Sequence, residues 1–167
     1  QPDQRGTLAA IQVIPGFLAL LGMVGQVEAV TYFAARRKHP LGLVQGTSLR
    51  ILARGCGFAA LAGLVFVPLL LRGRPAAVMT AGLLYLAIIP GLGLLGVGTA
   101  WLRARNRMVS WNLTRLIAPM IWTLLVIVAW VRSDRSVTHL AISFATIILV
   151  VAIPTVWWSN RSIGERV

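Results

Sequence analysis

The stretch GTSLRILARGCGFAALAGLVFVPLLL, Gly46 to Leu71, decides how the rest of this chain is read. From Cys56 onward it carries no charge, and its apolar content matches chain buried in lipid. A helix crosses a hydrocarbon core of about 30 Å at about 1.5 Å per residue, which takes about 20 apolar residues. Yet Arg50 and Arg54 stand one helical turn apart just upstream, where such a helix has already begun. The question is what keeps two guanidinium groups there.

Four more apolar runs surround this one. The five cover about 8–35, 43–71, 76–101, 111–131 and 137–158, and no soluble domain is expected. No alternation of period 2 persists and each run is too long for a barrel strand, so the fold class is all-α, a polytopic transmembrane helix bundle. The whole chain of 167 residues fits this reading. It is 57% hydrophobic and only 12% charged, with mean hydropathy +0.81. The gaps are short, so consecutive helices form antiparallel hairpins. The first two runs are overlong, which predicts tilt or extension beyond the bilayer.

Net charge is +12. In a soluble domain that would point to nucleic acid. Here the basic residues cluster in the gaps, so they set orientation instead, and no nucleic-acid partner is expected. One side collects Arg36, Arg37, Lys38, Arg103, Arg105, Arg107, Arg161 and Arg166; the other collects Arg5, Arg72, Arg74, Arg132 and Arg135. Eight against five makes the first side cytoplasmic by the positive-inside rule and starts Gln1 outside. The first run has no positive n-region before it and no small-residue cleavage site, so it is not expected to be a signal peptide. An outside start without one suggests a fragment of a longer chain that has lost a preceding helix, with the missing remainder of the same chain as a partner. Trp101, Trp111, Trp130, Trp157 and Trp158 flank the runs and are expected as interfacial anchors. Pro15, Gly22, Gly25, Pro68, Pro90, Pro119 and Pro154 interrupt all five runs, a pattern expected of a transporter that bends.

Four ionisable residues lie inside the runs: Glu28, Arg50, Arg54 and Arg115. A charge at the bilayer centre costs at least about 2.5–3.5 kcal/mol on insertion scales, so such residues face a cavity, meet a partner or snorkel to the headgroups. Glu28 stands eleven residues before His39 and Arg50 eleven after it. In an antiparallel hairpin both sit about 16 Å from the turn, which predicts a Glu28–Arg50 ion pair. Arg54 shares the face of Arg50 and has no evident acidic partner; its guanidinium suits the oxygens of a phosphate. Arg115 lies one turn into its run, with Asn112 on the same face. Arg50, Arg54, Arg115 and Asn112 are therefore candidates for a cationic binding cavity, and Glu28 for an ion pair or a coupling site.

Signatures of enzymes are missing. His39 and His139 fall on opposite sides, and no Asp/Glu pair is placed for acid–base work. The lone Cys56 excludes an internal disulfide and a cysteine-based zinc site. Gly91-Leu92-Gly93-Leu94-Leu95-Gly96 matches a dinucleotide fingerprint in spelling, but no strand precedes it and tight helix packing is the better reading. No cofactor, metal or catalytic residue is expected.

Two stretches carry a resemblance. RGTLAAIQVIPGFLALLGMVGQVEAVTYFAAR, Arg5 to Arg36, resembles the second helix of polysaccharide or lipid-linked oligosaccharide flippases of the multidrug/oligosaccharidyl-lipid/polysaccharide exporter superfamily. The matching features are Arg5-Gly6, Leu8-Ala9, Leu21-Gly22, Gly25, Ala29 and Tyr32 to Arg36. NRMVSWNLTRLIAPMIW is similar to that family's entry into its fifth helix, at Asn112, Leu113 and Arg115. The resemblance implies helices two to six of a longer exporter fold, a partial N-terminal bundle, multi-pass in a bacterial inner (plasma) membrane. It implies alternating access around a central cationic cavity, with a lipid-linked oligosaccharide and membrane lipids as partners. Arg50 and Arg54 would then point into that cavity. Glu28 is not part of the family's pattern. The alternatives are a drug/cation antiporter of the same superfamily, which favours acidic cavity residues, and a non-transporting membrane protein of glycan assembly.

Overall fold

A computed structural model describes residues 2–132 and 136–161. Asp134, Arg135 and Arg166 lie outside the described residues, as do the side chains of Arg5, Trp158 and Arg161. Seven helical segments follow one another: α1 Pro2–Gly22, α2 Gln26–Arg36, α3 Leu41–Leu70, α4 Ala76–Tyr85, α5 Ile88–Ala104, α6 Met108–Val131 and α7 Val137–Arg161. They make five spans long and apolar enough to cross a membrane: Gly6–Arg36, Leu41–Leu70, Ala76–Ala104, Met108–Val131 and Thr138–Trp157. The chain is thus an all-helical bundle of the multi-pass membrane kind, and its described residues contain no strand.

Only two of the five spans break, although every run carries proline or glycine. The first breaks at Met23–Gly25. Gly25 adopts φ 69°, a left-handed conformation that glycine takes without steric penalty. The amides of Met23 and Val24 there reach back three residues, to the carbonyls of Leu20 and Leu21. The third span breaks before Pro90. Proline offers no N–H to the carbonyl of Leu86, and Ile89 N–H takes that carbonyl instead at 3.0 Å. Helices α3, α6 and α7 run unbroken through Pro68, Pro119 and Pro154. The prediction of an interruption in every span therefore needs correction: three spans continue through their proline, and α1 likewise continues through Pro15.

Helix α5 forms the centre and packs against α1, α2, α3, α6 and α7. Its glycines make this possible by bringing neighbours close to its backbone. A Cβ on Gly93 would lie 2.7 Å from Leu52 Cδ1 of α3, and one on Gly98 2.8 Å from Thr155 Cγ2 of α7. Gly91 faces Ile148 of α7, and Gly96 faces Val27 of α2. The glycine string is thus a packing surface in this fold. A second close approach joins α1 to α3, where a Cβ on Gly22 would lie 2.9 Å from the carbonyl oxygen of Gly55. Small residues let helix backbones approach in a medium where hydrophobicity does not drive association.

Trp101 is not an interfacial anchor. It is 1% exposed, because it sits on the one helix that other helices enclose. Trp111 is half-buried, whereas Trp130 and Trp157 are exposed as anchors require.

Candidate functional site

Helix α3 buries Gln45, Ser48, Leu52, Cys56, Ala59, Gly63 and Val67. This stripe fixes the rotation of the helix. At about 100° per residue, Arg50 and Arg54 stand about 160° around the axis from Leu52, on either side of the opposite face. Both are exposed. No acidic side chain forms an ion pair with either of them among the described residues. Depth follows from the contact between Gly22 and Gly55. Gly22 stands near the middle of the first span and Gly55 near the middle of the second, so the turn holding Arg54 and Gly55 lies near the midpoint of both spans.

Glu28 does not meet Arg50. Helix α2 buries Gln26, Val30 and Ala34, and Glu28 falls two residues from two of these, on the far side of the helix. It is exposed there. The two residues do lie at matching distances from the turn, but matching depth leaves helix rotation unspecified. The apolar stripe of α2 turns the carboxylate away.

Arg115 and Asn112 occupy the first turns of α6, which starts at Met108 and so is longer than the expected 111–131. Both are exposed. Arg115 Cζ stands 4.8 Å from the centroid of the Trp111 ring, and Arg103 Cζ stands 5.8 Å from the same ring. Such cation–π contacts hold guanidinium groups in place without neutralising them. Helix α6 packs on α5 and α7, whereas α3 packs on α1, α2, α4 and α5. The candidate cations therefore form two groups on different flanks of α5, one at Arg50 and Arg54 and one at Arg103, Trp111 and Arg115.

The two basic gaps expected on one side do converge. Burial pushes the Arg105 guanidinium below its ordinary pKa, and repulsion from Arg107 and Arg37 pushes it the same way. Helices α2 and α5 pack together with Gly96 against Val27, nine residues before Arg105 and Arg36, so the turns that follow these two helices adjoin. Arg37 and Asn106 take left-handed backbone angles, φ 50° and 58°, which end their helices and turn the chain back.

Sequence reasoning missed one polar feature, Gln26. It is 6% exposed, inside an apolar span. Its Nε2 donates to the backbone carbonyl of Ser48, tying α2 to α3, and its Oε1 has no partner. A groove of about 220 Å³ opens beside it between α2 and α3 and runs to His39. An amide within an apolar run is a signal that the sequence does carry, because a polar side chain in lipid seeks an interhelical partner. Among the described residues, no three of His, Cys, Asp and Glu gather as a metal site would require. Comparison of the chain with protein-family models, curated proteins and solved structures finds no match in any of the three.

Proposed function

We propose that this chain is part of one bundle of a lipid-linked oligosaccharide flippase, a non-enzymatic transporter of the bacterial plasma membrane that works by alternating access. One observation carries the reading: Arg54 is exposed near the midpoint of its span, on the face of α3 turned away from its own bundle. An arginine at that depth is tolerated where it meets water, an anion or another protein surface. A second bundle facing α3 would close a hydrated passage over Arg50 and Arg54, and a diphosphate group crossing it would supply the anion. The breaks at Gly25 and Pro90 agree with helices that flex as two bundles rock. The exposed carboxylate of Glu28 favours the second reading, a cation antiporter of the same superfamily.

The test is lipid-linked oligosaccharide flipping by the intact protein in liposomes. Arg54→Ala is expected to lower the rate at least tenfold at unchanged protein level, with Arg54→Lys recovering part of it. Unchanged flipping in Arg54→Ala would reduce Arg54 to a snorkelling anchor. Loss of organic-cation export in Glu28→Gln, with no effect of Arg54→Ala, would favour the antiporter.

A further inference from the structure

The groove between α2 and α3 stands apart from the transport reading. At its inner end the helices are joined by Gln26 and the Ser48 carbonyl. Ile51 lies at this end too, and toward the turn the walls are Ala29, Val30, Phe33, Leu43, Val44 and Thr47. Ala29, Phe33, Leu43 and Ile51 are exposed, so the groove opens sideways, onto the surface where lipid lies. Its 220 Å³ falls below the roughly 300–1,000 Å³ of ordinary small-molecule pockets. That leaves room for part of one alkyl chain and none for an oligosaccharide.

The outer end of the groove is strongly basic. His39 lines it, and Arg36, Arg37 and Lys38 immediately precede His39. Arg36 is steadied over the Tyr32 ring, 4.2 Å from its centroid. Arg105 of the second hairpin lies within electrostatic reach of Arg37. Neither turn, 36–40 or 103–107, contains an acidic residue. An apolar slot one chain wide beneath a rim of cations matches one kind of occupant, an amphiphile with an anionic head.

We propose that this groove is a binding site for an anionic phospholipid of the surrounding leaflet. One acyl chain lies between α2 and α3, and the phosphate rests on Arg36, Arg37 and Lys38. Basic pockets between helices at a membrane surface take anionic headgroups in this way, and each cation near the surface contributes about fivefold in affinity. Bound lipid would fill the seam between α2 and α3 and screen the repulsion between the two basic turns.

Native mass spectrometry of the intact protein tests this, after incubation in detergent with dioleoyl-phosphatidylglycerol or dioleoyl-phosphatidylcholine. The phosphatidylglycerol adduct is expected to survive and the phosphatidylcholine adduct to be stripped. Replacing Arg36, Arg37 and Lys38 together by Gln should weaken phosphatidylglycerol retention by ~100-fold. Ala29→Phe blocks the groove and leaves the rim charge intact, and should weaken it at least tenfold. Arg72→Gln with Arg74→Gln, at the opposite end of α3, should change nothing. All these positions are exposed, so a folded protein is expected throughout. Equal retention of both lipids, or indifference to both the rim and Ala29→Phe, would overturn the proposal. So would loss of the adduct in Gln26→Leu, which would mean a hydrogen-bonding occupant, or retention confined to isoprenoid phosphates. None of these outcomes depends on flipping activity, so this site and the transport reading fail separately.

Discussion

Helices α5 and α6 belong to spans that are almost equally apolar, yet they occupy opposite places. Half of the apolar stretch ending in α5 is buried by the rest of the chain, against 6% for α6. The difference lies in side-chain size. Along α5, Gly91, Gly93, Gly96 and Gly98 each receive a neighbouring helix. Helix α6 has no glycine, buries only Thr114 and is held to α7 in part by an edge-on pair of Trp122 and Phe144, 5.0 Å between centroids. In a membrane both lipid and protein interior are apolar, so hydropathy measures whether a helix enters the bilayer and says nothing about which of the two it faces. Small residues carry that second message.

The comparison breaks first at its tryptophans. Trp101 on α5 is 1% exposed and Trp130 on α6 is 81% exposed. Trp101→Ala should cost about 3–5 kcal/mol of unfolding free energy, as large-to-small changes in packed interiors do. Trp130→Ala should change it by less than about 0.5 kcal/mol. Denaturant unfolding in mixed micelles, followed by circular dichroism, gives both numbers. Similar losses at the two sites would mean that α5 is not the enclosed helix. The next effect is overpacking. Gly98→Val pushes a branched side chain into Thr155, with contact already at 2.8 Å for its first carbon. A loss of about 1–3 kcal/mol is expected. In the same assay Thr155→Ala removes the obstructing methyl and should return part of that loss to the double variant.

These contrasts show how far the sequence could be read. Four of the five spans were legible because they end where charge begins: Arg36 and Arg37, Arg72, Arg103 and Arg132 all fall at or just past helix ends. Their rotation was not. Glu28 and Arg50 were placed at matching depth by counting from His39, but pairing also needs both to face the same seam. The stripe of Gln26, Val30 and Ala34 turns Glu28 the other way. Trp101 failed for a related reason, since the end of a run marks depth and leaves lateral position open. Arg50 and Arg54 were legible as charges within lipid depth, and their exposed, outward face emerges only from the stripe of Leu52, Cys56 and Ala59 on the other side of α3. Gly25 and Pro90 were visible among the interruptions, but which ones break a helix depended on local hydrogen bonding around each.

The smallest expected effect tests the other half of the comparison. Leu124 is 57% exposed on the bare face of α6. If only lipid or detergent covers that face, Leu124→Ala removes a side chain that touches hydrocarbon in both the folded and unfolded helix. Its unfolding free energy should then stay within about 0.5 kcal/mol of the parent. A loss of 2 kcal/mol or more in the intact protein would have one physical source, a packed protein surface on Leu124, because cavities of that cost form only against protein. The same substitution therefore measures what α6 faces. A near-zero value marks α6 as the lipid-facing wall of the bundle. A large one marks it as a seam to another protein surface, and would move the docking position proposed for a second bundle from the arginine face of α3 to the flank of α5 that carries Arg103, Trp111 and Arg115.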